Sequence, residues 1–318
     1  MNKSYRIGID LGGTNIKVGL VDQEYRIMAT HSVPTRPERP YQEVIQDMAE
    51  ACKTVLDEAG VALSEVVALG IGSPGCIDAV NGVVVFAANL NWEMVPVLDT
   101  LRTYFDLPMG LSNDANCAAL GEVTAGAAKD CANALMITLG TGVGGGVVLD
   151  HKIVEGGHAG GMELGHTLLV ADGEQCTCGR RGCFEAYCSA TALIRETRRA
   201  AEAHPDSMLN EYCGGDLAKL DGIAPFSCAQ KGDAAAQEVV TRYIRYLGDG
   251  IVDLVNIFRP DVVLLSGGVC NQGKNLTDPL NEYIRQYCFA GGRAFIPPVI
   301  RATLGNTAGI IGAAALVS

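Results

Sequence analysis

Apolar positions in the first 33 residues fall into three short runs separated by turn residues. Arg6-Ile-Gly-Ile-Asp10 leads through Leu11-Gly-Gly-Thr-Asn15 into Ile16-Lys-Val-Gly-Leu-Val21, and Tyr25 to Val33 follows after Asp22-Gln-Glu. This pattern predicts three strands joined as hairpins. Pro34, Pro37 and Pro40 then mark a loop. From Tyr41 to Ala59 the period changes: Val44, Ile45, Met48, Cys52, Val55 and Leu56 make one helical stripe, and Gly60 suits its stop. Val66 to Ile71 reads as a buried strand ending in Gly72-Ser-Pro-Gly75.

The plan recurs. Ala134 to Leu139, Gly140-Thr-Gly-Val-Gly-Gly-Gly146 and Val147 to Leu149 predict another strand, glycine turn and strand. A long helix from about Ala234 to Phe258 precedes the run Val262 to Ser266, which reaches Gly267-Gly268. The repetition predicts an internal duplication of two mixed α/β halves around a cleft, the ribonuclease-H-like architecture of the actin and hexokinase superfamily. The expected domains are a small one over 1–115, completed by a C-terminal helix at about 305–318, and a large one over 116–304. An insertion over roughly 155–230 carries a cysteine cluster.

Composition narrows the function. The 318 residues are 48% hydrophobic, enough for a sizeable core. No run approaches the roughly 18 apolar residues of a membrane span, and Met1 to Arg6 shows no signal peptide, so the expectation is a cytoplasmic protein without membrane contact. A net charge of −12 argues against a nucleic-acid partner. The 12 cysteines are too irregularly spaced for a secreted disulfide framework.

Two glycine-rich turns carry the first chemistry, because glycine lets backbone amides approach a phosphate closely. The first offers Asp10, Gly12, Gly13, Thr14, Asn15 and Lys17: a carboxylate for a Mg²⁺ shell, a hydroxyl and a lysine. The second offers Thr141, Gly142, Val143, Gly144, Gly145 and Gly146. A dinucleotide fingerprint would be followed by a helix, whereas a strand follows each turn here. The Gly-Lys-Ser/Thr ending of a P-loop is absent. One such turn is merely a tight hairpin; two suggest a nucleotide gripped from both halves, with Gly267 and Gly268 near its adenosine.

Asn113-Asp114 follows a short strand and opens a helix. Either residue suits a helix cap; alternatively, Asp114 stays ionised near the helix N-terminus and accepts a proton from a sugar hydroxyl. His166, Cys176, Cys178 and Cys183 have the composition of a closed, structural Cys₃His zinc site, with Gly179 and Gly182 permitting tight turns. The alternative is unconnected thiols or a redox pair. Glu163 and Glu185 flank the cluster, so a metal there would draw Glu163, His166 and Glu185 together to bind sugar hydroxyls.

These motifs, with Ala88-Asn-Leu-Asn-Trp92 and Cys183-Phe-Glu-Ala186, resemble in kind and order the ROK family (repressors, open reading frames, kinases), most of all its bacterial glucokinases. The resemblance implies ATP-dependent phosphorylation of a hexose, glucose first, at the 6-hydroxyl. Asp114 would be the base, and Asn89, Asn113, Glu163, His166 and Glu185 would hold the other hydroxyls. ATP with Mg²⁺ would lie on the glycine turns, zinc would be structural, and the protein would be a homodimer. The alternatives are an N-acetylglucosamine or N-acetylmannosamine kinase, or a sugar sensor without catalysis. Family repressors carry a helix-turn-helix before the first turn, which here begins at residue 10, so a kinase is expected.

Overall fold

The computed structural model describes residues 4–158 and 160–317. Met1–Lys3 and Ser318, at the ends of the expected small domain, and Ala159, within the expected insertion, lie outside the described residues. The opening strands are β1 (Tyr5–Leu11), β2 (Asn15–Val21) and β3 (Ile27–Pro34), followed by α1 (Tyr41–Ala59) and β4 (Val66–Ser73). Gly60 ends α1 in the left-handed conformation at φ 66°, as its position predicted. A small sheet of β5 (Cys76–Asp78), β6 (Val83–Ala87) and β7 (Trp92–Val95) comes next, then α2 (Val97–Leu101), β8 (Met109–Asn113) and α3 (Asp114–Ala125). The second half opens with β9 (Ala134–Leu139), β10 (Val143–Leu149) and β11 (Lys152–Ile153). Helices α4 (Glu185–Cys188), α5 (Ala190–Ala203), α6 (Met208–Tyr212), α7 (Ala224–Gln230) and α8 (Ala234–Phe258) follow, then β12 (Val262–Ser266), α9 (Lys274–Tyr287), β13 (Val299–Arg301) and α10 (Ala308–Ala315).

The duplication is visible in topology. The two five-stranded sheets have orders β3-β2-β1-β4-β8 and β11-β10-β9-β12-β13, the same arrangement of successive strands in each. Among the described residues, the small sheet of residues 76–95 has no counterpart in the second half.

The chain divides into two compact units: Met1–Met136 with Gly146–Met162 and Ala302–Ser318, and Ile137–Gly145 with Glu163–Arg301. A boundary at 115 would therefore cut through α3, which stays in the first unit because it packs on α10. In that unit, strand alternation sends Ile7, Ile9, Leu69, Ile71 and Leu111 into one core with the apolar stripe of α1. The opposite face is unlike any ordinary sheet face. Gly19, Gly8, Gly70 and Gly110 are successive register partners across four strands. A Cβ on Gly8 would overlap the Ile310 carbonyl, and one on Gly70 the Ala313 carbonyl. The row is thus a groove in which the backbone of α10 lies directly on the sheet. Glu122, fully buried on α3, fixes the chain just before that helix by accepting from the amides of Thr303 (2.9 Å) and Leu304 (2.7 Å). Gly70→Ala is expected to cost roughly 3 kcal/mol by overpacking, read as a lower Tm; an unchanged Tm would reject the groove as a stability element.

Among the described residues no helix is long and apolar enough to cross a membrane.

Candidate active site

In the first unit, the β1–β2 register places Asp10 opposite Lys17, with Lys17 Nζ 3.6 Å from Asp10 Oδ2. Burial raises the Asp10 pKa above the ordinary aspartate value, and Lys17 opposes that shift. The turn between the strands is closed by the Gly12 amide donating to Asn15 O (2.9 Å) and pinned by the buried Thr35, whose hydroxyl donates to Gly12 O (2.6 Å). Gly13 permits Asn89 to abut this turn: a Cβ on Gly13 would lie 3.2 Å from Asn89 Cβ. Thr14 and Asn15 are exposed at its tip.

The cap question at α3 is resolved. Asn113 is the N-cap, its Oδ1 accepting from the amides of Ala115 (2.9 Å) and Asn116 (3.4 Å), while its Nδ2 donates to Gly75 O (3.2 Å). The Asn113 side chain also hydrogen-bonds Asp114. Asp114 is the first helical residue, relieved of capping. Burial raises its pKa above the aspartate value; the Ala115 amide lowers it and the charge of Asp10 raises it further. The buried Ser112, two residues earlier, donates to Glu155.

In the second unit, the phosphate cradle expected over Gly140–Gly146 is shorter. The turn spans Gly140–Gly142, and β10 has already begun at Val143, so the strand expected over Val147–Leu149 is only its second half. The amide of Gly140 donates to Gly142 O (3.0 Å), that of Val143 to Glu185 Oε2 (3.0 Å) and that of Gly144 to Thr138 Oγ1 (3.1 Å). Thr141 and Gly142 therefore form the tip. Gly145 and Gly146 are small for packing reasons: a Cβ on Gly145 would lie 3.0 Å from Leu164 Cγ, and within the first unit one on Gly146 would lie 2.9 Å from Ala115 O. Gly267, at φ 96°, approaches the end of β9, where a Cβ would lie 2.9 Å from Leu139 N. Beside it, Gly268 has open space where a side chain would project.

Glu163 and His166 stand at the two ends of one helical turn, with the His166 amide donating to Glu163 O (3.1 Å). Gly165 within that turn packs on Val143, the residue whose amide Glu185 holds. The three expected sugar ligands Glu163, His166 and Glu185 are thereby brought to the same turn.

His166, Cys176, Cys178 and Cys183 form a cluster that could hold a metal ion, with one donor atom from each lying within 4.8 Å of the others. His166 Nδ1 is 3.6 Å from Cys176 Sγ, and Cys178 Sγ is 3.7 Å from Cys183 Sγ. Donors about 2.0–2.3 Å from one tetrahedral ion are separated by roughly these distances. Gly179 (φ 91°) and Gly182 (φ 84°) supply the turns that the spacing demanded. Because Nδ1 faces the sulfurs, His166 keeps Nε2 for another partner. Burial pushes the Cys183 thiol up to about 12, while the Arg180 amide is the leading influence lowering that of Cys178.

A sequence model of the ROK family matches residues 6–318. The chain belongs to the ROK family. It is 35% identical over 312 residues to the glucokinase of Streptomyces coelicolor, covering 98% of this chain and 96% of that one. The crystal structure of a ROK family glucokinase from Streptomyces griseus, in complex with glucose and AMPPNP, is 34% identical with TM-score 0.78, covering 98% and 99% of the two chains. The ROK hexokinase of Thermus thermophilus is 36% identical with TM-score 0.82, covering 98% and 97%. This ROK chain thus has the expected actin/hexokinase type of α/β fold.

Thr35, Glu155, Thr177 and Thr191 support the motifs of this ROK chain and were not singled out by sequence. Thr35, Glu155 and Thr191 act through contacts distant along the chain, such as Thr191 Oγ1 to Thr141 O (2.8 Å), and Thr177 through Glu185, eight residues on; no local pattern marks such contacts.

Proposed function

We propose that this ROK-family protein transfers the γ-phosphoryl group of ATP to the 6-hydroxyl of glucose, giving glucose 6-phosphate and ADP. The observation that carries the reading is Asp114: a half-buried carboxylate at the first turn of a helix, raised in pKa chiefly by desolvation and freed from capping by Asn113. Such a group is poised to take a proton from an alcohol. The hydroxyl oxygen attacks the γ-phosphorus, its proton passes to Asp114, and the bridging oxygen leaves with ADP. Positioning and charge neutralisation do the remaining work. Lys17 and the turn Gly12–Asn15 are assigned to the phosphates, as are Thr141 and Gly142, and Gly267 and Gly268 are assigned to the adenosine. Mg²⁺ entering with the nucleotide would supply charge neutralisation, and Asp10 would be the residue to hold it. Asn89, Asn113, Glu163, His166 Nε2 and Glu185 hold the sugar hydroxyls.

The soft donor set and its spacing support zinc as the structural ion. None of the 12 cysteines is disulfide-bonded, which supports a reducing, cytoplasmic setting. The glucokinases at 34–35% identity support glucose as the acceptor. A coupled ADP-release assay across glucose, N-acetylglucosamine and N-acetylmannosamine is expected to give glucose the highest kcat/KM, by about tenfold or more. No sugar-dependent ADP release from any of them would sink the kinase reading.

A further inference from the structure

The short segment following the metal knuckle grips the second glycine turn at three points. Glu185 Oε2 accepts from the Val143 amide (3.0 Å), the Ala190 amide donates to Gly140 O (2.8 Å), and Thr191 Oγ1 donates to Thr141 O (2.8 Å). At the other end, Glu185 is anchored to the knuckle itself. Its Oε1 accepts from Thr177 Oγ1 (3.1 Å), and Thr177 lies between two metal ligands; Cys176 Sγ is 3.5 Å from the same oxygen. The fit is close, since a Cβ on Gly142 would run into Glu185 Oε2. A carboxylate has about four lone-pair sites, so Glu185 can keep both protein partners while a sugar hydroxyl occupies a third.

We propose that Thr177 and Thr191 are positioning residues that make the metal knuckle a support for the nucleotide turn as well as for the sugar carboxylates. This rests on the kinase reading for the turn's ligand and goes beyond it in the role of the knuckle. Ordering the knuckle fixes Glu185 through Thr177. Glu185, Ala190 and Thr191 then fix the turn from Gly140 to Val143 in the conformation that presents Thr141 and Gly142. Metal, sugar carboxylate and phosphate turn form one connected piece, tied by side chains that the ROK motif residues do not include.

The test is calorimetric titration of the zinc-loaded, full-length protein with Mg-AMPPNP. Thr177→Val and Thr191→Val are each expected to weaken the analogue about 3- to 10-fold, the scale of one lost hydrogen bond. Zinc content by elemental analysis should stay at the wild-type level, and Thr177→Ser and Thr191→Ser should restore wild-type affinity. Stripping zinc from the wild type with a chelator should weaken the analogue at least as much as Thr177→Val. An analogue Kd within twofold of wild type in the zinc-complete double valine variant, an estimate set by the scale of one hydrogen bond, would overturn the proposal. So would a loss that the serine variants share, which would indicate general damage. Failure of the wild type to bind the analogue would remove the kinase reading, and this proposal with it.

Discussion

Asp114→Asn is expected to lower kcat by about 10²–10⁴-fold, the range of a positioned general base, while glucose still binds. It should also raise Tm. The sign follows from the shift: burial and the neighbouring Asp10 place the folded-state pKa of Asp114 above its unfolded value, so the native state holds the proton more tightly. As pH rises from the unfolded to the folded pKa, ionisation costs stability, and above the folded pKa that cost is complete. Asparagine cannot ionise, so it removes the cost at neutral pH. The same shift sets the acid limb of kcat/KM in the wild type above the ordinary aspartate range. Activity retained in Asp114→Asn would reject the base assignment; lost activity with a lowered Tm would point to structural damage instead.

Cys178→Ser should have the second large effect. A structural zinc contributes folding free energy directly, on the order of 10 kcal/mol of apparent binding in small zinc domains. Cys178 is the exposed member of the set, so the substitution disturbs little apolar packing. The expected results are loss of the metal by elemental analysis and a glucose KM raised at least about tenfold, as for other disturbed supporting shells of metal sites. The reason is that His166 and, through Thr177, Glu185 are tied to the cluster. A full metal complement in this variant would refute the ligand set; metal loss with an unchanged KM would separate the knuckle from sugar recognition.

Much of the fold was legible because it rests on local rules. The stripe from Val44 to Leu56 fixed α1 to the residue, and Gly60 stopped it. Asn113 and Asp114 marked a strand-to-helix junction, although only the structure separated the cap from the neighbouring carboxylate. The second glycine run misled in one respect. Seven residues rich in glycine look like one loop, yet the last two glycines lie in a strand where Leu164 and the Ala115 carbonyl leave no space for a side chain. Glycine marks close approach as well as turns, and composition alone does not distinguish them.

The sequence by itself determined the opening hairpin strands, α1, β4, β9, α8 and β12, the duplicated plan and the candidate metal donors, because periodicity, turn residues and ligand spacing act within a few residues. Only the tertiary structure decided which distant groups meet. It laid α10 into the glycine row of β2, β1, β4 and β8, joining residues roughly 200 to 300 apart in the chain. It also spent Asn113 on capping and joined Thr177 and Glu185 to the turn at Val143. Such contacts depend on where whole elements pack, and their energies reside in pairs that no local pattern identifies.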